Sequence, residues 1–190
     1  MTRINLTRRA FLTLSSASLA VAAATWSVPA QARPILEMPV RKLFFHNTHN
    51  DEIVGATYYK RGQYVPSALQ KFNSIMRDNH NGQVTKMDTE LFDLLHKLQA
   101  ALGNRSKIEI VSAYRSPATN ARLASYSYGV AKKSFHMQGK ALDLRIHGVP
   151  THHIHNAALS LQGKGVGGVG YYADSNFVHV DTGPVRTWET

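Results

Sequence analysis

With 190 residues and a formal charge of +10, the chain is long enough for one domain with a sufficient buried core. It contains no cysteine, which excludes disulfides and thiolate ligands and leaves only nitrogen and oxygen donors for a metal site. The positive charge suits a polyanionic partner, but there is no C2H2 pattern, basic helix or aromatic RNA-binding platform to support nucleic acid.

Residues 1–32 read as an export signal. Arg3, Arg8 and Arg9 precede a weakly apolar run from Ala10 to about Trp26, and the run ends in the small-residue cleavage pattern Val28-Pro29-Ala30-Gln31-Ala32. That run is rich in Ala, Ser and Thr and falls short of the ~20 strongly apolar residues of a membrane span. No stable span is therefore expected after processing; an uncleaved anchor is the alternative. Thr7-Arg8-Arg9-Ala10-Phe11-Leu12 is similar to a twin-arginine export signal, which implies a periplasmic location. Residues 33–39, with two prolines, read as a tether, and residues 40–190 as the folded domain.

Val40 to Phe45 and Glu52 to Lys60 read as strands of a hairpin closed by Asn47-Thr48-His49-Asn50-Asp51. Pro66 opens a helix that presents Leu69, Phe72, Ile75 and Met76 on one side and ends near Asn79. Asp88 caps a second helix whose Leu91, Leu94, Leu95, Leu98 and Leu102 point inward, stopped by Gly103. Ile108 to Ala113 is a short buried strand. It leads through Tyr114-Arg115-Ser116-Pro117 into a helix from Ala118 to Ser125, and Tyr126 to Lys133 forms a loop on one rim of a cleft. A further helix spans Thr151 to Leu161. Its His152, His153 and His155 do not converge as an i, i+4 pair would, so they are read as non-ligands. Five glycines between Gly163 and Gly170 suggest a mobile approach to a strand over Val169–Tyr172, and Asp174-Ser175-Asn176 turns the chain back. Trp188 is expected to pack onto the domain.

Two period-two segments carry the chemistry. After Ser134-Phe135-His136-Met137-Gln138-Gly139, the run from Lys140 places Leu142, Leu144 and Ile146 on one face and Asp143 on the other. In Phe177-Val178-His179-Val180-Asp181, the valines can face the core while His179 and Asp181 face away. Two neutral imidazoles and a carboxylate, with a fourth position for water, form the ligand set of a catalytic zinc ion. His136, Asp143 and His179 are the candidate ligands, for one zinc per chain.

Ser134-x-His136-x-x-Gly139-x-Ala141-x-Asp143, followed some 36 residues later by His179, resembles the zinc signature of the M15 peptidases. Val130–Ser134, Gly167–Tyr172 and Phe177–Pro184 are more specifically similar to the murein endopeptidase K branch. The resemblance implies an α+β fold: a single domain with a central antiparallel sheet flanked by helices, as in D-Ala-D-Ala carboxypeptidases and hedgehog-type zinc peptidases. It also implies hydrolysis of peptide cross-links in peptidoglycan, next to meso-diaminopimelate. Ser112-Ala113-Tyr114-Arg115-Ser116 resembles the segment where M15 enzymes keep an arginine on the substrate or its oxyanion, a role that falls here to Arg115.

The chain departs from the family pattern at one point. Many M15 enzymes carry an acid three residues before the final histidine, and Asn176 stands there. Asp181 is the first candidate for the acid–base group and Asp174 the second; Asp181 can equally orient His179 from behind. Two alternatives to the endopeptidase remain: a D,D-carboxypeptidase, against which the glycine-rich 163–170 segment speaks, and an inactive wall-binding module, which Asn176 favours.

Overall fold

The computed structural model describes residues 40–126 and 130–190; the export signal and tether read over 1–39, and part of the rim loop, lie outside them. The elements are β1 (Arg41–Asn47), β2 (Glu52–Lys60), β3 (Gln63–Tyr64), α1 (Pro66–Ile75), α2 (Thr89–Ala101), β4 (Ile108–Ser112) and α3 (Pro117–Tyr126). A 3-10 turn over Phe135–Gln138 then precedes β5 (Ala141–Ile146), α4 (Thr151–Ser160), β6 (Gly168–Tyr172), β7 (Phe177–Asp181) and β8 (Arg186–Glu189). Among the described residues no helix is long and apolar enough to cross a membrane.

The domain is α+β, but its eight-stranded sheet, ordered β3-β2-β1-β4-β5-β7-β6-β8, is mixed and not wholly antiparallel. β1 pairs in parallel with β4, and β6 in parallel with β8. The first exception arises because β2, α1 and α2 intervene before β4, enough chain to return a strand in the same direction. The second arises because the segment after β7 crosses the end of β6 before β8 begins. That crossing is tight: a Cβ on Gly167 would overlap the backbone of Gly183. Neither β3 nor β8 was expected, since two residues and the sequence Arg-Thr-Trp-Glu carry no apolar alternation.

The helices form where the caps and stripes place them. Pro66 occupies the first turn of α1, which ends at Ile75 with Met76 as its C-cap, short of the expected end near Asn79. Asp88 has extended dihedrals and accepts from Glu90 N at 3.0 Å, so it satisfies one orphan donor of α2. Leu91, Leu94, Leu95 and Leu98 are at most 1% exposed, each stabilising the fold by about 1.5–3 kcal/mol through burial. They join Phe45, Phe72 and Phe92, whose rings meet edge-on or tilted at 4.9 Å and 5.2 Å. Leu142, Leu144, Val178 and Val180 face this core, where Ile154 and Ala158 of α4 also sit. The opposite face of β5 and β7 is thereby left to polar side chains.

Asp88 also ties the core to that polar face. Its N–H donates to Gly139 O at 2.9 Å, and its Oδ2 accepts from Thr182 Oγ1 at 3.0 Å. One residue thus anchors α2, the turn before β5 and the end of β7.

Candidate metal centre

β5 and β7 are antiparallel, and their register sets Asp143 directly opposite His179. Both side chains leave the sheet on the face away from the aliphatic core. His136 comes from the 3-10 turn, whose cap Ser134 accepts from His136 N and whose end, Gly139, adopts φ +66°. Only a residue tolerant of the left-handed region turns the chain there without strain, and a Cβ would also lie 2.9 Å from Lys86 O.

The structure brings the three predicted ligands together. His136 Nε2 lies 3.2 Å from Asp143 Oδ1 and 3.3 Å from His179 Nδ1. Tetrahedral zinc bonds of about 2.0–2.1 Å set neighbouring donors about 3.3 Å apart, so two edges of the triangle already match; the third, His179 Nδ1 to Asp143 Oδ1, is 2.7 Å. His136, Asp143 and His179 are the one group of three potential ligands that converges in this way among the described residues. The donor set fits zinc.

Each imidazole is held by its remote nitrogen. His136 Nδ1 lies 2.6 Å from Ala113 O; a carbonyl only accepts, so the proton sits on Nδ1 and the Nε2 lone pair faces the centre. His179 Nε2 donates to Asp181 Oδ2 at 2.9 Å, turning Nδ1 inward. Asp143 uses its second oxygen to accept from Arg115 Nη2 at 2.8 Å, and Arg115 Nε donates to Ser112 Oγ at 3.0 Å.

Burial and charge act in opposite directions here. Burial pushes the His136 imidazole below its ordinary value. For Asp143, burial works to raise the pKa, but the two imidazoles hold the carboxyl well below the usual range. His179 is raised: burial lowers it, and the carboxylates of Asp143 and Asp181 on either side outweigh that. Asp143 thus stays ionised as a donor, and the two imidazoles are set apart by their neighbours.

The centre floors a cleft of about 830 Å³. Lys133, Ser134, Phe135, Tyr172, Phe177 and Trp188 are among its lining residues. Three of these are tied together: Tyr172 stacks on Phe177 at 4.4 Å, and Trp188 Nε1 donates to Tyr172 Oη at 2.9 Å. Trp188 therefore does pack back, as part of β8 and beside His179.

Residues 37–188 match the family of M15-type peptidases described as peptidoglycan L,D-endopeptidase MepK. The chain belongs to that family. Its relatives include the peptidoglycan L,D-endopeptidase MepK of Escherichia coli strain K12, 40% identical over 188 residues that cover 99% of this chain and 100% of the relative. The probable peptidoglycan L,D-endopeptidase MepK of Haemophilus influenzae is also 40% identical, over 100% of this chain and 99% of its own length.

Within this MepK-type domain the remaining candidates fall in different places. Asp181 is fully buried, and besides His179 it accepts from Gly168 N at 2.9 Å and Gly183 N at 2.8 Å. Asp174 is exposed and lies outside the cleft lining. Asn176 has φ +52° and accepts from Thr151 Oγ1 at 2.9 Å; asparagine tolerates that backbone better than a glutamate does. The 163–170 segment, expected to be mobile, makes three hydrogen bonds: Gly163 N donates to Val166 O, Gly167 N to Asp181 O, and Lys97 Nζ to Lys164 O. It does not line the cleft, so it has no bearing on carboxypeptidase against endopeptidase. Arg186 and Tyr172 also line the cleft, a role that sequence reading missed: Tyr172 was expected only as a strand residue, and Arg186 stands in no recognisable pattern.

Proposed function

We propose that this chain is a zinc-dependent murein endopeptidase that cleaves peptide cross-links of peptidoglycan, at bonds between an L- and a D-configured centre. Convergence of His136 Nε2, Asp143 Oδ1 and His179 Nδ1 on one point in an open cleft carries the reading, together with the family and with relatives whose names specify an L,D-endopeptidase. These three atoms would hold the metal. A zinc ion supplies Lewis acidity, polarising a carbonyl oxygen and acidifying water near neutral pH.

The chain's own groups do the rest. Asp143 is fixed by Arg115, so its carboxylate cannot rotate away from the two imidazoles. Arg115 lines the cleft, so the outer edge of its planar guanidinium suits a developing oxyanion or a substrate carboxylate. Asp181 is read as the partner that holds the tautomer and ring plane of His179 and not as a proton shuttle, because both its oxygens are engaged by protein donors. The stacked Tyr172–Phe177 pair and Lys133, which line the same cleft, suit a stem peptide with aliphatic and carboxylate parts. A D-Ala-D-Ala-carboxypeptidase-like fold is consistent with the mixed sheet and the ligand placement.

Incubating the purified protein with sacculi tests this directly. Conversion of dimeric muropeptides to monomers, abolished by a chelator and restored by zinc, is the expected result. Release of free alanine instead would assign a D,D-carboxypeptidase, and neither product would leave a wall-binding module. Residues 1–32 are proposed to deliver the enzyme to the periplasm by the twin-arginine route. Changing Arg8 and Arg9 to lysine should then leave the precursor in the cytoplasm; normal export of that variant excludes the route.

A further inference from the structure

Strand β8 was not expected, yet its first residue reaches the metal centre. Arg186 directs Nη2 to Asp181 Oδ2 and Nη1 to Asp181 Oδ1 at 3.3 Å, and Nη1 also donates to Pro184 O at 3.2 Å. The guanidinium lies over the ring of Phe135, the residue before the ligand His136, at 4.9 Å, and over Trp188 at 5.2 Å. Beneath it Asp181 is 0% exposed.

The backbone around this pair leaves no spare room. A Cβ on Gly168 would overlap Asp181 Oδ2 and stand 2.9 Å from Arg186 Cζ, and one on Gly183 would stand 3.0 Å from Asp181 Oδ1. Both glycines instead point their N–H groups at Asp181 Oδ1. The two N–H groups hold Oδ1 alone, and on the Oδ2 side the planar fork of Arg186 adds to His179 a grip that spans both oxygens and fixes the plane of the carboxylate. His179 depends on that fixed carboxylate for its orientation.

The geometry points to Arg186 as a positioning residue of the metal centre: it clamps Asp181, and Asp181 in turn keeps His179 Nδ1 aimed at the ion. The relay runs from a strand added at the sheet edge through a buried carboxylate to a ligand. It rests on the zinc reading above.

The test compares full-length wild type, Arg186→Lys and Arg186→Ala by zinc affinity in chelator competition, by thermal unfolding of the metal-free forms, and by kcat and KM on dimeric muropeptide. Arg186→Ala should bind zinc about 10–100-fold more weakly. Arg186→Lys keeps the charge but not the fork, and should lose several-fold, with kcat falling at little-changed KM. If Arg186→Ala does not fold, Arg186→Lys decides alone. Wild-type zinc affinity in the folded variants overturns the proposal, whether their stability is lower (a structural role) or KM is raised (a substrate contact). A wild type that binds no zinc overturns the site reading itself, which is a different result from a zinc-binding wild type with unaffected variants.

Discussion

His179 and Asp181 sit two residues apart on β7 and still form a 2.9 Å hydrogen bond, Nε2 to Oδ2, on the polar face of the sheet. Alternation puts both side chains on that face. The enclosure of Asp181 by Gly168, Gly183 and Arg186 then turns its carboxylate back toward His179.

Asp181→Asn separates the two roles open to this residue. If the amide presents its NH2 to His179, Nε2 must accept, and the proton moves to Nδ1, where a metal needs a lone pair. Zinc affinity should fall about 10–100-fold, read by chelator competition, with turnover falling alongside. Full zinc retention with turnover lost by about 10²–10⁴-fold would assign Asp181 to proton transfer after all.

Arg115→Lys should weaken zinc binding about 10-fold, because it loosens the hold on Asp143, and at saturating zinc should still lower kcat by about 10–10³-fold. A lysine cannot hold Ser112 Oγ and Asp143 Oδ2 together and also face the cleft. Metal counting with steady-state turnover on dimeric muropeptide checks this; unchanged turnover removes Arg115 from the reaction.

Gly139→Ala should destabilise the metal-free protein by about 1–3 kcal/mol, measured from urea midpoints. The position combines φ +66° with a Cβ site 2.9 Å from Lys86 O. Gly82→Ala is the control, with φ +74° and nothing within 4 Å of its Cβ site, so it should suffer the conformational cost alone. Equal losses at the two positions would show that the close approach under the 3-10 turn carries no energy.

Asp78 contributes to stability in a pH-dependent way. Burial opposes its ionisation, but hydrogen bonds from Thr119 and from the N–H groups of Ser116 and His80 hold its pKa down to about 2. Because the folded value lies below the unfolded one, 3.8, the ionised group stabilises the protein above about pH 4. That contribution disappears as pH falls through 2. Asp78→Asn should cost on the order of 2 kcal/mol at pH 7, and the gap from wild type should close between about pH 4 and 2 in denaturant titrations. A gap that does not change with pH means the carboxylate charge is not what matters.

The amino-acid sequence alone determined the hairpin, the capped leucine helix, the alternation that separates Asp143 from Leu142 and Leu144, and the family, and it singled out the His136, Asp143 and His179 trio that the fold brings together. Each of these is local: a cap, a period of two or 3.6, or a motif with fixed spacing. Only the tertiary structure decided that Asp143 faces His179 across a strand pair, that β8 joins β6 in parallel, and that Asp181 is enclosed by Arg186 and two glycines. Those outcomes depend on which strands pair and which backbones approach within van der Waals distance. Such pairings join residues far apart in the chain, through contacts that leave no periodic trace along it.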